Sequence, residues 1–187
     1  MQLARTRQFT IEDFDALPEV RPALEFFGGR VIQKMSPGLP HCMITRDLTI
    51  KIQLFAASAG LGEVFPELRC RFGGSSHVFD LAFFVPGRLP NPSSMGEREV
   101  ITIPPDWAIE ILSPGQAVGE LSRKLRSGIR RGVRLGWLIN KSRRQVHVFR
   151  PNGKPQIFNT GDVLDGDVIL PGFHLPIADL FQRFEVQ

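Results

Sequence analysis

Trp107-Ala108-Ile109-Glu110-Ile111-Leu112-Ser113-Pro114 is an apolar, strand-like run that holds a single carboxylate and closes on Ser-Pro. An ionised side chain in a buried strand is costly unless a metal or a cation meets it, so Glu110 is the residue to explain. A second anomaly lies upstream, where Asp80 interrupts His77-Val78-Phe79-Asp80-Leu81-Ala82-Phe83-Phe84-Val85, whose β-branched and aromatic content also reads as one buried strand. After Ser113-Pro114-Gly115, Leu121, Leu125 and Ile129 recur at four-residue spacing and predict a helix over 118–132, with Lys124 at the edge of its apolar stripe. Lys124 follows Glu110 by 14 residues, enough for the strand to end and a helix to run back beside it. Two acids on two strands and an amine on the next helix suggest a metal site for phosphate chemistry.

Outward from that centre, Thr10 caps a short acidic helix that Pro18 ends. Gly28-Gly29 joins strands 23–27 and 30–35 as a hairpin. Ile44, Leu48, Ile52, Phe55, Ala56 and Ala59 predict a long helix over 40–59 that stops at Gly60, with His41 in its first turn. Extended segments at 62–65 and 67–72 lead through Gly73-Gly74 into the Asp80 strand as a β-meander, and 86–99 has the composition of a surface loop. Hairpins are expected at 135–140 with 145–150 and over 156–170 near Asp165-Gly166, then a closing helical turn at 177–181.

The chain of 187 residues is long enough to bury one core and is read as a single domain over 1–187. Hydrophobic content of 42% and charged content of 22% are those of a globular chain rather than a disordered one. Two cysteines, Cys42 and Cys70, are too few for a disulfide framework and point to a reducing interior. The start has no apolar core of signal-peptide length and no segment is long enough to span a bilayer, so the expected location is cytoplasmic, without membrane contact. The formal charge is +4, but Arg123, Lys124, Arg126, Arg130, Arg131, Arg134, Lys141, Arg143 and Arg144 fall in a span free of Asp and Glu. That span is either a solvated surface or a contact for a phosphate backbone, with Arg123 and Arg126 as substrate-binding candidates. The spacing of His41, Cys42, His77, His147 and His174 fits no zinc pattern, Asp162, Asp165 and Asp167 read as turn residues, and no phosphate-binding Gly-rich loop ends in Lys-Ser or Lys-Thr.

The ordered set Leu24-Glu25, Gly29, Val31, Ser36-Pro37 with His41, the Asp80 strand, Ala108 to Pro114, Lys124, Gly132-Val133, Trp137-Leu138-Ile139, Val146 to Arg150 and Leu170-Pro171-Gly172-Phe173 resembles the Uma-two family of nucleases in the PD-(D/E)XK superfamily. The resemblance spans about Phe9 to Phe181. It implies an α/β, restriction-endonuclease-like fold, a central mixed β-sheet flanked by helices. Asp80 and Glu110 match the superfamily's two strand acids, Leu112 stands where its lysine usually lies, and Lys124 takes that part from the following helix. Glu25 matches a further acid.

On this basis the expectation is a Mg²⁺- or Mn²⁺-dependent endonuclease acting on DNA, in which Asp80, Glu110 and the Ile111 backbone carbonyl hold the ion. Lys124 would orient the attacking water or stabilise the transition state, Glu25 would complete the outer metal shell, and His41 at a helix N-terminus would contact phosphate. Cutting both strands is simplest with two sites, so a homodimer is expected. Gly128 and Asn140 replace a customary tyrosine and aspartate, which motivates an alternative: a catalytically inactive nucleic-acid-binding or homo-oligomeric interaction module on the same fold.

Overall fold

The structure, a computed structural model, describes residues 9–96 and 100–182; the opening residues read for a signal segment and the end of the surface loop, 97–99, lie outside the described residues. Its helices are α1 (Ile11–Asp15), α2 (Leu39–Ala59), α3 (Val118–Ile129) and α4 (Ile177–Phe181). Its strands are β1 (Leu24–Phe27), β2 (Arg30–Gln33), β3 (Glu63–Pro66), β4 (Arg69–Phe72), β5 (Ser75–Val78), β6 (Leu81–Phe84), β7 (Trp107–Ile111), β8 (Leu135–Asn140), β9 (Gln145–Phe149), β10 (Gln156–Phe158), β11 (Val163–Gly166) and β12 (Leu170–Pro176). Six strands form the central sheet in the order β10-β9-β8-β7-β6-β3, and four form a second sheet in the order β2-β1-β5-β4.

The central sheet is mixed because α3 carries the chain from β7 to a parallel β8, whereas β6, β9, β10 and β3 pair antiparallel with their neighbours. Alternation along β7 divides its side chains between two layers. Trp107, Ile109 and Ile111 join the core with Ile44, Leu48 and Ile52 of α2, and Trp107 meets Trp137 edge-on with ring centroids 4.4 Å apart. Ala108 belongs to the other core, with Leu121 and Leu125 of α3. Glu110 has the same parity as Ala108, so the strand directs its carboxylate toward α3.

Two helix boundaries follow local rules. Thr10 and Asp13 form a reciprocal capping box at α1, and α2 ends at Gly60 in the left-handed conformation, φ 63°. Among the described residues no helix is long and apolar enough to cross a membrane.

Three expectations are corrected. The run 77–85 is not one strand: it breaks at Phe79-Asp80, with β5 in the second sheet and β6 in the central one. The meander is instead one long hairpin bent across both sheets, β4 pairing with β5 and β3 with β6. At the bend Glu67 adopts φ 50° and donates its N–H to the Asp80 carbonyl at 3.2 Å. Finally, β10 extends the central sheet beside β9, and the last hairpin is β11 with β12, which turns after Gly166.

Candidate active site

The bend lets Asp80 leave the ladder and turn its carboxylate toward the end of β7. Asp80 Oδ2 accepts the Ile111 N–H at 2.7 Å and has His41 Nε2 at 3.5 Å, while Oδ1 accepts from Lys34 Nζ at 2.8 Å. His41, in the first turn of α2, is steadied from its other side by Ser113 Oγ, 3.1 Å from Nδ1. Burial alone would push the Asp80 carboxyl up, but the His41 contact and the Lys34 charge overcome it and hold the group well below the usual carboxylate range.

Lys124 is 1% exposed and ends between two acids, with Nζ 2.6 Å from Glu25 Oε1 and 2.6 Å from Glu110 Oε1. It also donates to the Val78 carbonyl at 3.2 Å and lies 5.1 Å from the Phe79 ring centroid. Burial opposes its charge, yet Glu110 and Glu25 raise its pKa above the ordinary lysine value. An ammonium this deep is tolerated because two carboxylates lie against it and the Val78 carbonyl accepts from it.

Val78 shows how the backbone is satisfied where β1 and β5 part. Its N–H goes to Glu25 Oε1 at 2.5 Å and its carbonyl accepts from both Lys34, at 3.0 Å, and Lys124. Side chains thus replace the ladder there. Burial pushes the Glu110 carboxyl up to about 8, with the charges of Asp80 and Glu25 adding to the shift against the pull of Lys124 and Lys34. Three buried carboxylates therefore face two ammonium groups.

Of the residues expected from the sequence, Glu25, His41, Asp80, Glu110, Ile111 and Lys124 all line one cleft. Arg123 and Arg126 do not: they are exposed on α3, because helical spacing turns them away from the buried side that carries Leu121, Lys124 and Leu125. Lys124 itself lies inside the buried face rather than at its edge.

Lys34 is the cleft residue that the sequence reading missed. Its signal was the hairpin register: Glu25 pairs with Ile32, and Lys34 follows Ile32 by two residues and so shares its face. Gly128 and Asn140, two of the places where the chain departs from the family pattern, each have a local role. A Cβ at Gly128 would lie 3.1 Å from Val133 Cγ2, and Asn140 Oδ1 accepts the Arg143 N–H at 3.2 Å within the β8–β9 turn.

A mixed central sheet with acids at the ends of adjacent strands and a lysine from the crossover helix defines an α/β protein of restriction-endonuclease-like fold. The chain belongs to the Uma2 (Uma-two) family, described as "Putative restriction endonuclease", whose family model matches residues 11–178. It is also similar to a solved structure titled as "a putative nuclease belonging to DUF820" from Anabaena variabilis, at 32% identity and a TM-score of 0.87 over 93% of this chain and 98% of that one. Among curated proteins none matches the sequence. Family and fold together support a nuclease function.

Proposed function

We propose that the protein is a divalent-metal-dependent endonuclease acting on DNA, with Asp80, Glu110 and the Ile111 carbonyl as its metal ligands. The observation that carries this is the junction of Asp80 with the end of β7: the bend brings its carboxylate within 2.7 Å of the Ile111 N–H, one residue from Glu110. The donor set fits a hard cation, since all the proposed ligand atoms are oxygens and burial disfavours the charged Glu110 carboxylate unless a cation offsets it. Among the described residues no group of three or more His, Cys, Asp or Glu side chains is arranged to hold a metal, so the ion would draw on two carboxylates, one carbonyl and water.

When bound, such an ion supplies charge for the phosphate and a more acidic water. The chain's own residues do the rest. Lys124, fixed by Glu25 and Glu110, presents its charge where negative charge grows on the phosphate. Glu25 positions that ammonium, and through Val78 it ties β1 to β5. His41, held by Ser113 through Nδ1, would donate to a phosphate oxygen from Nε2 once that nitrogen leaves Asp80. Two copies of a single 1–187 domain would serve the two strands of a duplex.

Incubation with supercoiled plasmid in Mg²⁺ or Mn²⁺ tests the reading. Cleavage that needs the ion and is lost in Glu110→Ala is expected; cleavage without metal, or full activity in that variant, would overturn it.

A further inference from the structure

In this structure neither oxygen of Asp80 is free. Lys34 holds Oδ1, and the Ile111 N–H and His41 share Oδ2. The Lys34 backbone is fixed by its N–H bond to the Ala23 carbonyl at 2.9 Å, so the mobile part is the four-carbon arm. That arm has a second carboxylate in reach. Glu67 Oε1 lies 3.5 Å from Nζ, with its side chain 59% exposed, whereas the Asp80 side chain is 4% exposed. The space left in the cleft is about 30 Å³, enough for one or two waters but not for a phosphate beside the ammonium.

We propose that Lys34 is a movable resident cation, which occupies the metal's place on Asp80 at rest and transfers to Glu67 at the mouth when Asp80 binds a divalent ion. The inference rests on Asp80 and Glu110 being the ion's ligands. The exchange leaves Asp80 paired throughout, so the buried carboxylate never bears the cost of an uncompensated charge. It also opens the cleft and delivers an ammonium to the side from which a phosphate backbone arrives.

Titration of the full chain with Mn²⁺, with free ion read by its electron paramagnetic resonance signal, tests this without reference to cleavage. Lys34→Met should bind Mn²⁺ about tenfold tighter than the unmodified chain if the displaced state is about one-tenth populated at rest. Lys34→Gln, which keeps a donor for the Val78 carbonyl, should do the same if the methionine variant folds poorly. Glu67→Gln should weaken binding several-fold alone and leave it unchanged in the Lys34→Met background, because Glu67 acts through Lys34. Unchanged or weaker Mn²⁺ binding in both Lys34 variants, with binding abolished by Asp80→Asn, would overturn the role of Lys34 and leave the ligands standing. An equal effect of Glu67→Gln in both backgrounds would overturn the transfer. Absence of any Asp80-dependent Mn²⁺ binding would overturn the metal reading together with it.

Discussion

Replacing Lys124 by methionine keeps the volume of the side chain and removes its charge, leaving Glu25 and Glu110 buried without the ammonium that lies 2.6 Å from each. Breaking a buried pair from one side costs roughly 3–5 kcal/mol. Lys124→Met should therefore lose roughly 3–5 kcal/mol, a fall in Tm of roughly 6–20 °C. Urea unfolding of variant and parent measures the difference. A loss under about 1 kcal/mol would refute the description of Lys124 as the counter-ion of two buried acids.

His77 is fully buried among Phe27, Phe72 and Phe79, neither ring nitrogen has a partner, and burial, with Lys124 and Arg131, lowers its pKa to about 3. Its contribution is present above pH 6.5 and fades as pH falls toward 3, so His77→Phe should gain about 3 kcal/mol more against the parent at pH 4 than at pH 8, and an equal difference by urea unfolding would contradict this. Asp106, 0% exposed, accepts the Val85 N–H at 3.0 Å and pairs with Arg88 and Arg134. Asp106→Ala strands that N–H and should lose roughly 2–3 kcal/mol, with faster amide exchange at Val85; slow exchange there would show that another acceptor takes over.

Elements with one strong local signal were legible in the sequence. The Gly28-Gly29 turn fixed the first hairpin, the α2 periodicity ended at Gly60 as glycine permits, and the β7–α3–β8 unit followed from a strand, a Pro-Gly break and a four-residue apolar repeat. What misled was the run around Asp80, because a continuous apolar stretch is equally compatible with one long strand and with two short ones in different sheets. Only tertiary context separates them: Phe79 packs in the α3-side core, while Asp80 turns to the Ile111 N–H. The hairpin expected over 156–170 failed for a related reason, since β10 finds its partner in β9, before it in sequence, while Asp165-Gly166 does lie beside a turn, that of the β11–β12 hairpin.

The acids of the site were visible because a charge in an apolar run is conspicuous, and Lys124 because it adjoins the apolar stripe of the helix after Glu110, whereas Lys34 was not. Lys124 stands among arginines, but its place beside Leu121 and Leu125 separates it from the exposed Arg123 and Arg126. Lys34 closes a strand whose neighbours Arg30, Val31 and Gln33 are exposed, so its burial appears only once Asp80 has been folded over it. The asymmetry has a physical root. A short carboxylate must be carried to the site by its own backbone, so it marks the strand or bend that carries it, but a lysine reaches in from a distance on four methylenes and leaves little trace in the pattern around it. Counter-ions of a buried acidic site are therefore best sought from cross-strand register, as with Glu25, Ile32 and Lys34, rather than from the polarity of the residues beside them.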